Sequence, residues 1–230
     1  REAAEKATVQ PTAAFPVRFW PWYLASVTWL AVMLAGMGAL AAYSTSAGEA
    51  GQTPASWPGQ LGDRPRGWTL ALAVHPRCPC TEASIRQLQR TFAMLEPPPS
   101  VVAAVYEPPP GEARAEAWPH EPDAADRLRS TLGARIVRDP GGEVALAFGG
   151  FTSGHAVLFD PEGDARFRGG VTPSRSHTGP NTGTAAIRAL LRGERPPAAS
   201  APVYGCPLRD RDGCGDACPL STTVRTDEQE

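Results

Sequence analysis

Residues 68–94 decide the fold of this chain, and they read WTLALAVHPRCPCTEASIRQLQRTFAM. The run 68–74 is apolar or β-prone, which predicts a strand covered on both faces. Two prolines then mark a turn that carries Cys78 and Cys80, and apolar residues at helical spacing follow it. The apolar positions are Ile85, Leu88, Phe92 and Leu95. The stretch therefore predicts a buried strand, a cysteine-bearing turn and a core-facing helix.

Both cysteines lie where the strand passes into the helix. Thr81 is the predicted N-cap of that helix, and Glu82 falls in its first turn, where the helix dipole favours an anion. Unpaired N–H groups at a helix start also stabilise a thiolate and lower the pKa of a cysteine. We therefore predict that Cys78 is an attacking thiolate and Cys80 its resolving thiol, the alternative being a static disulfide.

Length and charge restrict the class of protein. The chain has 230 residues and a formal net charge of −2, so neither a basic nor an acidic excess points to a nucleic-acid partner. Pro and Gly account for 48 residues, mostly outside the periodic segments, which predicts one compact domain with irregular flanks. Five cysteines leave at least one without a partner inside the chain.

The segment 22–43 has no charged residue and is long enough to span a bilayer as a helix. It is too long for the apolar core of a signal peptide. Basic residues lie on its N-terminal side, so the positive-inside rule predicts a cytoplasmic tail at 1–21 and everything after the helix outside the cytoplasm. Residues 44–66, rich in Gly, Ser and Pro, are the predicted periplasmic linker.

Small residues share one face of this predicted helix, as they do where transmembrane helices pack closely. They are Ala31, Ala35, Gly38, Ala39 and Ala42. The face predicts contact with other membrane-spanning helices; the alternative is a helix that is merely rich in alanine.

Residues 67–194 form the predicted domain, in which helices alternate with strands and a hairpin closes the order. Such an order predicts an α/β mixed sheet with helices on both faces. After the first strand, further strands are predicted at 101–106, 134–137, 155–160 and 165–168. After the cysteine helix, further helices are predicted at 122–132, at 142–148 and after an N-cap at Asn181.

This order, with cysteines at the first strand-to-helix turn, resembles the thioredoxin-like fold. Residues 138–170, RDPGGEVALAFGGFTSGHAVLFDPEGDARFRGG, are similar to the branch of membrane-anchored periplasmic thioredoxins and peroxiredoxins. The run 152–183 also resembles a poorly characterised bacterial group of anchored thioredoxin-like proteins. The resemblance implies the fold and an extracytoplasmic location in a two-membrane bacterium.

The sequence departs from that family at two places. The family's Cys-x-x-Cys is here Cys78-Pro79-Cys80, whose disulfide would close a small strained ring. The family's cis-proline before the fourth strand, in a loop that pairs with bound peptide, aligns with Gly154. His155 should then lie near the cysteines, as a proton acceptor, as a Cu(I) ligand with both thiols, or as an ordinary hydrogen-bonded histidine. We predict no metal and no cofactor.

The tail, 195–230, carries the remaining cysteines in the stretch CPLRDRDGCGDACP. The spacing of Cys206, Cys214 and Cys218 does not match a zinc pattern. A disulfide among them is predicted, and the third cysteine would pair with a partner or with the domain.

Two functions agree with these features. One is an accessory subunit of a photosynthetic or respiratory complex in the bacterial inner membrane, embedded in the lipid bilayer among integral membrane subunits. The other is a membrane-anchored periplasmic thiol–disulfide oxidoreductase that uses Cys78 and Cys80. The departures at the redox site and the small-residue helix face favour the accessory subunit.

Overall fold

The computed structural model describes residues 20–109 and 122–209 and divides the chain into two compact units. The described part of the first unit is helix α1, Trp20–Thr45. The boundary between the two units falls after Tyr43, two residues before this helix ends. No residue of α1 is buried, and the helix is long and apolar enough to cross a membrane.

The second unit, from Ser44 onward, is built on a six-stranded mixed sheet. Its strands are β1 Thr69–Val74, β2 Ser100–Glu107, β3 Arg135–Pro140, β4 Ala156–Phe159, β5 Ala165–Gly169 and β6 Ser200–Ala201. Its helices are α2 Pro79–Phe92, α3 Pro122–Leu132, α4 Glu143–Ala147 and α5 Thr182–Leu191, and a 3₁₀ turn spans Gly59–Leu61.

The strand order is β3-β2-β1-β4-β5-β6. The first three strands are parallel, β4 runs antiparallel to both β1 and β5, and β6 runs parallel to β5. With the cysteine turn directly after the central strand β1, this topology is thioredoxin-like, and the predicted fold class is confirmed.

Side chains alternate between two core layers along the central strands. Leu70, Leu72 and Val74 of β1 face the layer that holds α2, α3 and α5. Ala71 and Ala73 face the opposite layer, which holds α4, Phe148 and the 3₁₀ turn. Every residue of β1 is buried, as the run 68–74 predicted.

The segment expected to be a free linker, 44–66, is instead packed on the domain. The amide of Trp57 donates to the carbonyl of Gly163, and the amide of Ala165 donates to the carbonyl of Ala55. Leu61 is fully buried, and Trp57 meets the ring of Phe159 edge-on at 5.2 Å. Apolar anchors among the glycines and prolines thus fix a segment whose composition alone suggested flexibility.

The domain also continues past its expected end at residue 194. Strand β6 lengthens the sheet, and Val203 and Leu208 are buried. The described part of the predicted tail therefore belongs to the folded unit.

Candidate functional site

Helix α2 begins one turn earlier than expected, and this places both predicted cysteines in its first residues. Cys78 is the N-cap and Pro79 is the first helical residue, a position that suits proline. Thr81, the predicted N-cap, instead donates its hydroxyl to the carbonyl of His75. The side chains of Cys78 and Cys80 are 4% and 3% exposed.

Cys206 joins these two cysteines from the far end of the domain. Its amide donates to the sulfur of Cys78 at 3.4 Å across 128 positions of sequence. The backbone holds it there, because the amide of Ser153 donates to the carbonyl of Cys206 and the amide of Leu208 donates to the carbonyl of Phe151. The sequence predicted the domain only as one possible partner of a third tail cysteine, and this contact could not be located from it.

Cys78 lies between the other two cysteines, and its thiol affects the pKa of each. The hydrogen bond from Cys78, aided by the charge of Arg175, lowers the pKa of Cys206 to about 7 against the opposing effect of burial. The same hydrogen bond to Cys206, with burial, raises the pKa of Cys78. The hydrogen bond to Cys78, and then burial, raises the pKa of Cys80 strongly. When all three cysteines are reduced, Cys206 is therefore the first to ionise as the pH rises.

This distribution of charge differs from the expectation that the helix start lowers the pKa values of Cys78 and Cys80. The side chain of Cys78 accepts no capping hydrogen bond from α2. Its carbonyl, and not its sulfur, accepts from the amide of Thr81. The sulfur of Cys78 therefore accepts its hydrogen bond from the amide of Cys206 and not from the first turn of α2.

The loop 172–181 extends over the site and over α2. The hydroxyl of Ser176 lies 3.5 Å from the sulfur of Cys80, and Arg175 donates to the carbonyl of Gly205. The amide of Gly179 donates to the side chain of Gln87 in α2. Ser176 and Arg175 were not predicted as site residues, although they lie in the run 152–183 that carries the family resemblance.

His155 faces away from the cysteine helix. It precedes Ala156 of β4, so its side chain shares the sheet face of Val157 and Phe159, opposite α2. Its ring lies 6.3 Å from that of Phe148, and among the described residues neither ring nitrogen has a hydrogen-bond partner of normal geometry. Burial lowers the pKa of His155 to about 4, against a raising effect of the Phe148 backbone. The structure thus places it across the sheet from the cysteines it was expected to serve.

A cleft of about 280 Å³ lies beside Cys78, between the starts of α2 and α3. Arg77, Glu82 and Arg127 supply its charged rim, and the Arg127 guanidinium lies 3.1 Å from the Glu82 carboxylate. His75 lies at the end of β1, where its ring stacks on Tyr106 at 5.3 Å. The site therefore has an open side next to Cys78.

The remaining predicted residues are placed as follows. Gly154, at the family's proline position, adopts φ +88°, and a β-carbon there would meet the hydroxyl of Ser84 at 3.2 Å. Ala31, Ala35, Gly38, Ala39 and Ala42 lie in α1 and are exposed. Cys214 and Cys218 lie outside the described residues. Within 20–109 and 122–209, no three His, Cys, Asp or Glu side chains are arranged to hold a metal ion.

Comparisons with known proteins agree with this architecture. No family model and no curated protein matches the chain. A solved structure of an uncharacterised conserved protein from Geobacillus kaustophilus is 23% identical, with a TM-score of 0.50 over 74% of this chain and 94% of that one.

A hypothetical protein from Sinorhizobium meliloti is 20% identical, with a TM-score of 0.51 over 74% of this chain and 99% of that one. A secreted disulfide oxidoreductase of Mycobacterium tuberculosis is 11% identical, with a TM-score of 0.36 over 55% and 81%. With its strand order and its cysteine turn, the chain has the thioredoxin-like fold, together with an N-terminal helix able to cross a membrane.

Proposed function

We propose that this protein is a membrane-anchored thiol–disulfide oxidoreductase. The observation that carries the proposal is the convergence of Cys78, Cys80 and Cys206 at the start of α2. A static structural disulfide needs two cysteines. A third cysteine, in contact with Cys78, supplies the partner that thiol–disulfide exchange requires.

The environment of the thiols suits exchange chemistry. The thiolate is the attacking species, and one of the three sulfurs has a pKa of about 7, so a substantial fraction is ionised near neutral pH. The neighbouring thiol of Cys78 is within hydrogen-bonding reach to resolve a mixed disulfide. The cleft beside Cys78 provides room for a substrate segment.

We further propose that α1 anchors the protein in the bacterial inner membrane, with its N-terminus in the cytoplasm and the thioredoxin-like domain in the periplasm. The basic residues before the helix support this orientation. Disulfides form and persist in this oxidising compartment, so a disulfide substrate would be present there.

The first test is turnover of a peptide that carries a fluorescent reporter through a disulfide, with dithiothreitol as reductant. We expect the detergent-solubilised full chain to release the reporter faster than dithiothreitol alone. Cys78→Ser should abolish that acceleration, because Cys78 is the cysteine that interacts with both of the others. Glu194→Gln, a change at an exposed residue beyond α5, should leave it intact. No acceleration by the wild type would refute the enzyme.

The accessory subunit is a second candidate, because the small residues between Ala31 and Ala42 of α1 are all exposed. Larger side chains on this face would push away a partner helix that packs closely against it. Such overpacking destabilises the contact between the helices by ~1–3 kcal/mol per site. The double change Ala35→Leu and Gly38→Leu keeps the helix apolar, so we expect membrane insertion but loss of copurifying membrane proteins. Exchange of Leu30 and Leu34 for isoleucine is the control. Undiminished copurification of the bulky variant would make α1 a simple anchor.

A further inference from the structure

We infer that Cys206, and not Cys80, is the redox partner of Cys78, and that Cys206 is the thiol that meets the substrate disulfide. The inference rests on the proposed oxidoreductase function and assigns its residues. It replaces the Cys-x-Cys turn, the obvious pair in the sequence, with a pair that joins opposite ends of the domain.

The contact between Cys206 and Cys78 is held from several sides. The backbone of 151–153 pairs with the segment around Cys206 through two hydrogen bonds, and Thr152 and Pro207 form an antiparallel bridge. Arg175 holds the carbonyl of the preceding residue, Gly205. Gly205 itself has no room for a side chain, since a β-carbon would collide with the carbonyl of Ser153. The position of Cys206 is therefore determined by the fold of the domain.

Access also favours Cys206 as the entry thiol. Cys206 is half-buried, whereas Cys78 and Cys80 are 4% and 3% exposed. The sulfur of Cys80 is engaged by Ser176 and lies under the loop 172–181. As a residue, Cys206 therefore presents more surface to a polypeptide disulfide or a small thiol adduct than either of the other two cysteines.

The two disulfides that Cys78 could form differ in their strain. A bond between Cys78 and Cys80 closes a small ring through Pro79, whose φ is fixed by its own ring. A bond between Cys78 and Cys206 joins positions 128 apart and carries no such local ring. Strained disulfides are the more oxidising ones, so thiol exchange should favour the bond between Cys78 and Cys206.

The reaction then has two exchange steps. The Cys206 thiolate attacks one sulfur of the substrate disulfide, whose S–S bond breaks, and the first substrate thiolate leaves and takes a proton from water. The sulfur of Cys78 then attacks the sulfur of Cys206, and the bond between Cys206 and the substrate breaks as the bond between Cys78 and Cys206 forms. The second substrate thiolate leaves, and the proton of Cys78 passes to it through water. The substrate gains two electrons from two protein thiols, and an external dithiol reduces the enzyme again.

Disulfide mapping tests the pairing directly. The full chain is oxidised with glutathione disulfide, free thiols are alkylated, and the linked peptides are identified by mass. We expect Cys78 linked to Cys206, in the wild type and also after Cys214 and Cys218 are both changed to serine. Linkage of Cys78 to Cys80, or of Cys206 to a tail cysteine, would overturn the inference.

Turnover in the reporter assay separates the roles of Cys80 and Cys206. Cys206→Ser should lose roughly 100-fold or more of the turnover, because it removes the attacking thiol. Serine at Cys80 keeps a donor for Cys78, so Cys80→Ser should lose at least tenfold less than Cys206→Ser does. The reverse pattern would overturn this inference and leave the proposed function standing. A wild type that shows no turnover in the reporter assay would overturn both this inference and the proposed function.

Discussion

The pH at which Cys206 is half-reactive toward iodoacetamide is expected to rise from about 7 to about 9 when Cys78 is replaced by alanine. The hydrogen bond from Cys78 is the largest cause of the low pKa of Cys206, and burial opposes it. Without Cys78, burial remains while the main stabilisation of the thiolate is gone. The pKa should therefore return to the ordinary cysteine value of 9.0.

The midpoint of the titration is the proper readout, and not the rate at one pH. At pH 7 the thiolate fraction would fall roughly fiftyfold for a rise of two pKa units. A thiolate of higher pKa is also the better nucleophile, by roughly eightfold over the same range, so the rate at pH 7 falls much less than the fraction does.

Peptide mass spectrometry follows Cys206 separately from Cys214 and Cys218. Cys80→Ala is the matched control, because it leaves the hydrogen bond from Cys78 to Cys206 in place and the midpoint should stay near 7. A midpoint near 7 in Cys78→Ala would show that the thiolate does not depend on Cys78.

Much of the fold could be read from the sequence because side-chain periodicity reports secondary structure. The run 68–74 is apolar throughout and forms the fully buried β1, and the helical repeat that begins at Ile85 forms α2. The cap at Asn181 was also predictable, since its side-chain oxygen accepts from the amide of Thr184 at 2.9 Å. These signals are local, and each lies within one element.

The contacts that complete the site are not local, and they leave no period in the sequence. Cys206 is positioned by backbone hydrogen bonds between two irregular segments, which any pair of residue types can make. The anchors Trp57 and Leu61 lie among glycines and prolines, where no repeat marks them as apolar contacts.

His155 is different, because the sequence did contain a signal for its position. Strand alternation places residue 155 on the face of Val157 and Phe159, whereas Ala156 and Leu158 belong to the face that α2 covers. Adjacency to Gly154 in the sequence suggested closeness to the cysteines. The two-residue period of the strand determines the face, and it points the ring the other way.

The buried ring of His155 is expected to make the folded domain sensitive to acid. Its folded pKa of about 4 lies below the ordinary value of 6.5, so between these pH values the unfolded chain binds a proton that the folded domain does not. The free energy of unfolding should therefore fall as the pH decreases from 6.5 to 4. The shift corresponds to a loss of about 3 kcal/mol from this group alone.

Replacement by leucine isolates this effect. His155→Leu fills a similar space, cannot be protonated and removes two ring nitrogens that lack hydrogen-bond partners of normal geometry. Arg168, whose charge also lowers the pKa of His155, and the carboxyl groups stay in place, so their own contributions cancel in the comparison with the wild type. We expect the variant to match or exceed the wild type at pH 8 and to be the more stable by about 3 kcal/mol at pH 4.

The measurement is urea unfolding of the reduced full chain in mild detergent, followed by near-ultraviolet circular dichroism from pH 8 to pH 4. The low pKa of Cys206 acts only between about 9 and 7, so it does not overlap with the window of His155. The control is Met94→Leu, an exposed position that follows α2 and changes no ionisable group, so it should keep the wild-type slope. Equal slopes for the wild type and His155→Leu below pH 6.5 would mean that the ring accepts its proton inside the folded domain, and that α4 and Phe148 do not keep it neutral.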